Sequence, residues 1–265
     1  MNFQQKMFAG YFELKSALLS HEQWLFMAIQ DTKMRYRRSI LGPWWVTLST
    51  GIMVLMLGFL WSFIFNQTIS VYLPFFSVSF IVWNWISAQI NESTSGFIQF
   101  QGVIKQIKLP LPIFILRVNF RQFMILMHNS VVIFLVFLFL QKSFSWVNLI
   151  AVPNLFLVQA NITLLSILVA IICSRYQDMI QIVSVVTQIT FFFTPILWQV
   201  DLIKNRLYLA EWNPIYHWIE MIRAPLLGQM PCLNNYIWTC ATLVFIFFIS
   251  TFSLGYYRSR IPLWL

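Results

Sequence analysis

The chain has 265 residues, of which 59% are apolar and 9% charged, and its net charge is +9. A soluble globular chain carries about 25% charged residues, so this one has too few to clothe a water-facing surface. With 8 glycines, 10 prolines and 3 cysteines, collagen, disorder and a disulfide scaffold are excluded too. An integral membrane protein with basic edges remains, with no sign of nucleic-acid binding.

The first 38 residues hold Glu13, Glu22 and Asp31 and no long apolar run. They are not a cleavable signal peptide, so the first span is expected to serve as the insertion signal. Within residues 12–38, Leu14, Ala17, Leu18, Leu25, Ala28 and Ile29 recur at helical spacing. The stretch ends on Lys33-Met-Arg-Tyr-Arg-Arg38. This pattern predicts an amphipathic helix lying in the membrane interface. The first unit is residues 1–42; the second, 43–265, is the membrane domain.

A membrane-crossing helix needs about 20 mostly apolar residues. No charged residue occurs from Ser39 to Asn91, enough for two spans broken near Asn66-Gln67-Thr68. The spans are predicted at Pro43–Phe65, Val71–Asn91, Val118–Leu140, Trp146–Cys173, Met179–Val200 and Tyr236–Tyr257. The fold class is therefore all-α, with six spans, the interface helix, and two short re-entrant helices before the last span. Lys and Arg cluster in residues 1–42, after spans 2 and 4, and after span 6, which places both termini in the cytoplasm.

The loop of residues 93–112 contains Gly102, Val103, Ile104, Lys105, Gln106, Ile107 and Lys108, closed by Pro110. Apolar and basic residues alternate there as in a short amphipathic helix, although a plain connector reads similarly. In the segment 201–235, Asn213 and Pro214 form an N-cap and first helical position. Ile215, Trp218, Ile219 and Ile222 then share one face, and Pro225 and Gly228 close the helix. Residues 202–209 are expected to form its short companion. Such a pair suggests helices dipping into the bilayer, with an interfacial helix as the plainer alternative.

Several chemistries have no motif. There is no phosphate loop, so any ATP that drives this protein is bound by another chain. His21, His128 and His217 stand far apart, and Cys173, Cys232 and Cys240 form no Cys-x-x-Cys, so no metal site is expected. No carboxylate lies well inside a span, where ion-coupled carriers keep one. Arg175 and Asp178, three residues apart, read as a structural ion pair between spans 4 and 5. Trp44, Trp45, Trp61, Trp83, Trp85, Trp146 and Trp198 sit near span ends, as an aromatic belt does. Those facing inward, with Phe191, Phe192 and Phe193, would offer flat apolar faces to sugar rings.

Asp31-Thr-Lys-Met-Arg-Tyr-Arg-Arg-Ser-Ile-Leu-Gly42 followed by Trp45 resembles the entrance to span 1 in ABC-2 type permeases of polysaccharide export. Ile104-Lys105 through Leu109-Pro110, Arg175-Tyr-Gln-Asp178, Thr194-Pro195-Ile196, and Asn213-Pro214 with Arg223 follow in the same order. Pro43, where an aliphatic residue is usual, departs from the pattern. The set is most similar to the O-antigen (lipopolysaccharide) subgroup. The resemblance implies a homodimer with two ATP-binding cassette subunits in the bacterial inner membrane. Those subunits would bind ATP and Mg; this chain would hold no cofactor and catalyse nothing. Residues 102–108 would couple to the ATPase. Asn213, Pro214, Trp218 and Arg223 would belong to an outer gate. The cargo would be an undecaprenyl-diphosphate-linked glycan, its head drawn by Arg35, Arg37 and Arg38. Other readings are a permease for capsule, teichoic acid, or a small lipid or drug; an ion-coupled lipid-glycan flippase; and a glycan-assembly enzyme, disfavoured by the missing carboxylate cluster.

Overall fold

The computed structural model describes residues 3–42, 44–200 and 208–265, and among these every regular element is helical. Two helices, α1 (Phe3–Leu19) and α2 (His21–Tyr36), occupy the segment where one was expected. Ser20 leaves helical geometry between them, and its hydroxyl donates to the Ser16 carbonyl at 2.9 Å. Such side-chain bonding competes with the helix ladder. Of the predicted stripe, Leu14, Ala17 and Ala28 are buried, while Leu18 and Ile29 face outward.

Among the described residues, five helical segments are long and apolar enough to cross a bilayer: Trp44–Ile64, Ile69–Ser93, Pro112–Phe139, Trp146–Arg175 and Leu233–Tyr257. The first three are α3, α4 and α6, with α5 (Gln101–Gln106) between α4 and α6. The fourth is a 3₁₀ turn running into α7 (Ala151–Arg175). The last is α11, preceded by α8 (Met179–Phe193), α9 (Tyr208–Glu211) and α10 (Pro214–Leu226), and followed by α12 (Ile261–Trp264).

Three predicted boundaries move. Helix α6 starts six residues before Val118, because Arg117 is paired and buried instead of ending the span. Helix α8 stops at Phe193 and does not reach Val200. The residue before a proline is pushed out of the helical region, and Thr194, ahead of Pro195, is extended. Fifteen residues rise about 22 Å, short of the roughly 30 Å hydrocarbon core. The third change is at α5. Ile107 is extended, so the helix ends before Ile107–Pro110. The predicted helix at 202–209 lies mostly outside the described residues; only α9 is seen there.

Helix α4 is the hub, packed by α3, α6, α7, α8 and α10 and largely buried. Its core cluster includes Trp83, Trp85, Ile86, Val158, Ile162, Trp218 and Ile219. A second cluster joins Leu14, Ile104, Leu111, Phe114, Ile171, Leu254 and Ile261, and within it α5 packs on α12. Polar side chains inside the bundle bond across helices, as they do in apolar surroundings. Gln159 Nε2 donates to Gln89 Oε1 at 2.7 Å and Asn119 Nδ2 to Thr163 Oγ1 at 3.0 Å.

Helix α1 lies against α11 backbone to backbone. A Cβ added to Gly10 would stand 1.8 Å from the Thr251 carbonyl oxygen, and one on Gly255 would stand 1.9 Å from that of Lys6. Only glycine allows this crossing. The end of the bundle that carries α2, α5 and α12 is rich in arginine and lysine and is called the basic end below.

Candidate functional site: a charged junction, a polar groove and a pinned helix

At the basic end, five charged side chains from three helices form one network. Asp31 on α2 forms an ion pair with Arg117 Nη1 at 2.7 Å and accepts from Arg121 Nη1 at 3.0 Å, both on α6. Arg121 Nη2 also donates to Glu92 on α4. Glu92 accepts further from Gln122 Nε2 at 2.6 Å and from Arg35 Nη2 at 3.1 Å. The Arg117 side chain is 2% exposed and that of Arg121 is 9% exposed. Charges so buried persist only when paired. The Arg117 guanidinium also lies 4.0 Å from the centre of the Phe100 ring, at the root of α5. One arginine thus touches both α2 and the approach to α5.

Above this junction, α4 presents Asn84, Ser87 and Asn91 on one face, at the three- and four-residue spacing of neighbours on a helix. They line a groove of about 440 Å³ with Ser184, Thr187, Gln188, Phe191 and Phe192 of α8. Trp83 packs on Phe191, with ring centres 5.8 Å apart. Thr187 Oγ1 donates to Asn91 Oδ1 at 3.1 Å. The same three α4 residues line a second cleft of about 360 Å³ with Arg35, Trp85, Gln122 and Asn129. The groove therefore opens toward the charged junction. Amide and hydroxyl groups beside aromatic rings suit a ligand with both hydroxyls and apolar ring faces.

At the other end, α10 is held by its own residues. Asn213 caps it, accepting from the Ile215 amide at 3.0 Å, and its amide donates to Thr194 Oγ1 at 2.8 Å. Trp218 is 1% exposed and donates to Thr242 Oγ1 at 3.1 Å. Arg223 is 2% exposed. Its Nη1 donates to Ser79 Oγ at 2.9 Å and to the Pro195 carbonyl at 2.6 Å, and its other nitrogens donate to Glu220. Arg223 ties α10 to α4 and to the end of α8. Burial first, then the Glu220 carboxylate, pushes the Tyr216 phenol up to about 12. Gly228, at φ +81°, ends the helix, and the Gln229 amide bonds back to the Ala224 carbonyl at 2.9 Å.

The profile of the family described as ABC-2 type transporter matches residues 22–227. The chain belongs to the ABC-2 type transporter family. It is similar to O-antigen export system permease proteins RfbA. One from Klebsiella pneumoniae is 26% identical over 70% of this chain and 73% of its own length. One from Myxococcus xanthus is 25% identical with the same coverage. The protein is an integral, multi-pass ABC-2 permease, a transport subunit related to O-antigen export permeases. Permeases of this family work with ATP-binding subunits.

The sequence-predicted residues of this permease fall into separate places. Trp83, Phe191 and Phe192 meet at the groove. Trp85 is buried behind it, and Phe193 is exposed outside the groove lining. Trp44 and Trp45 lie exposed near the start of α3, and Trp198 donates to the Phe192 carbonyl at 3.4 Å. Arg35, Arg37 and Arg38 line one basic cleft with Met34. On α5 and the chain after it, Ile104 faces inward. Gly102, Lys105, Gln106, Ile107 and Lys108 face outward, with Val103 half-buried.

Arg175 and Asp178 require correction, since no ion pair joins them among the described residues. Tyr176 leaves the helix (φ −125°, ψ 96°), so three-residue spacing no longer aligns the two side chains. Arg175 instead lies over the rings of Tyr176 and Trp264, at 5.0 and 5.3 Å. Asp31, Glu92, Arg117, Arg121 and Gln122 were missed as a unit. The available signal was an arginine pair at i and i+4 within an apolar helix, which demands buried carboxylates.

Proposed function

We propose that this chain is the transmembrane subunit of an ATP-driven exporter of an undecaprenyl-diphosphate-linked, O-antigen-like polysaccharide. The observation that carries the reading is the α4/α8 groove, where Asn84, Ser87, Asn91, Thr187 and Gln188 lie beside Trp83 and Phe191. Few charges and many weak partners let a sugar chain slide without stopping. Family membership and the names of the relatives support the same cargo class.

In this reading the chain forms a homodimer with two ATPase subunits, which bind ATP and Mg. It sits in the bacterial inner membrane with the basic end, and both termini, in the cytoplasm. Helix α8 with the chain up to Val200 makes the sixth crossing, and α9 and α10 form the re-entrant pair of the outer gate. Lys105 and Lys108 on the outward side of α5 and the following chain face the ATPase. Arg37 and Arg38 attract the lipid diphosphate.

Movement of α5 reaches Arg117 through Phe100. Arg117 and Arg121 carry it to Asp31 on α2 and to Glu92 on α4, beside Arg35 at the mouth of the groove. The ATPase stroke and groove opening are thereby one motion. Arg223 holds α10 closed over the end of α8 until the glycan arrives.

The test is reconstitution. The permease with its ATPase partner in proteoliposomes should move the lipid-linked glycan only with ATP. The permease alone should not. Transport by the permease alone, or by an ion gradient without ATP, refutes the reading. Deleting the gene should also remove the surface glycan while the lipid-linked form accumulates inside.

A further inference from the structure

A further cleft lies outside the α4/α8 groove, against α10. It measures about 740 Å³ and lies away from the basic end, between the start of α4, the turn from α6 to α7, and α10. This is within the range of small-molecule sites. It shares no lining residue with the α4/α8 groove.

Its wall is built around a fixed carboxylate. Glu220 accepts both Nε and Nη2 of Arg223 on Oε2, and among the described residues its Oε1 has no partner. Arg223 is itself held in the closed arrangement, because Ser79 and the Pro195 carbonyl bind Nη1 and the Phe75 ring lies 4.4 Å from its guanidinium carbon. A group held this way is preorganised, so little ordering cost remains for a ligand. Lys142, Ser143, Tyr216 and Gln229 line the same cleft, and Lys142, Ser143 and Gln229 are exposed.

The charges select a ligand class. A phosphate or carboxylate would meet Glu220. A free metal ion would meet Lys142 and Arg223. An apolar chain would strip water from an ammonium and a carboxylate with nothing in return. A sugar hydroxyl donates to a carboxylate and accepts from an ammonium through one oxygen, and its neighbouring ring carbons tolerate Phe75. We propose that this cleft is a sugar-binding subsite that holds a segment of the exported chain after it has passed the groove. The inference rests on the cargo being a glycan.

The experiment uses the permease–ATPase complex in lipid nanodiscs. The probe is surface polysaccharide released by mild acid from the cells that encode the chain, titrated by calorimetry. The wild-type complex should bind it saturably. Lys142→Ala with Gln229→Ala changes two exposed residues, so the complex should still assemble, with affinity lower by about tenfold, the worth of one or two net hydrogen bonds. Dextran, an unrelated neutral glycan, should bind more weakly than the released polysaccharide. Equal affinity in the double variant, no saturable binding by the wild type, or equal binding of dextran overturns the subsite. A deletion strain separates the two ideas. Lost surface glycan with unchanged affinity in the double variant sinks the subsite alone, and retained surface glycan sinks the export reading.

Discussion

Replacing Asp31 by Ala removes the carboxylate that two arginines share. Arg117, 2% exposed, then keeps its charge with no carboxylate at Nη1, and its Nε and Nη2 already lack hydrogen-bond partners. Breaking a buried ion pair from one side costs about 3–5 kcal/mol. Asp31 is itself 15% exposed, so some water enters and the lower figure, about 3 kcal/mol, is expected. For a domain of this size each kcal/mol moves the melting temperature by roughly 2–4 °C, so the variant should melt about 6–12 °C lower in detergent. The double variant Asp31→Leu with Arg117→Met removes both charges and fills similar volume. Such replacements of buried pairs are often neutral, so much of the lost stability should return. Export should not return, because the link from Phe100 through Arg117 to α2 is gone. Scanning fluorimetry gives the first quantity and surface-glycan staining the second. A single variant as stable as wild type refutes the idea of a stranded buried cation. A double variant that exports normally leaves the network structural and removes it from the coupling route.

Other outcomes follow from the same geometry. Lys105→Glu with Lys108→Glu should abolish co-purification of the ATPase while leaving the melting temperature unchanged, since both side chains are exposed. Phe192→Ala should slow export without altering stability, because Phe192 is 61% exposed and lines the groove; an unaffected rate removes it from the path. Gly255→Ala forces a methyl toward the Lys6 carbonyl and should cost about 1–3 kcal/mol by overpacking. Its signature is faster proteolysis of α1. Arg223→Met should free α10 from Ser79 and Pro195, seen as faster hydrogen exchange over residues 214–226; unchanged exchange refutes the pin.

Five of the six predicted spans were legible because apolar runs of the right length have few alternatives in water. The Asn213-Pro214 helix start was legible because capping is local chemistry. What escaped the sequence was pairing across distance. Arg117 looks like the end of a span until Asp31, far away in the chain, is seen to neutralise it. Gly10 and Gly255 read as ordinary glycines, and nothing nearby in sequence says that they touch. The apolar run through Val200 hid the end of α8, although Thr194-Pro195 carried the signal. The supposed pair of Arg175 and Asp178 failed because its spacing assumed a helix that breaks at Tyr176.

The crossing of Gly10 over Gly255 bears on how the molecule is made. Helix α1 completes its seat only after α11, far later in the chain, has been synthesised and inserted. Until then only the α6 side of that seat is present. Closure of that contact thus reports that α11 is in place, and a chain halted earlier leaves the Gly10 face of α1 uncovered to quality-control proteases.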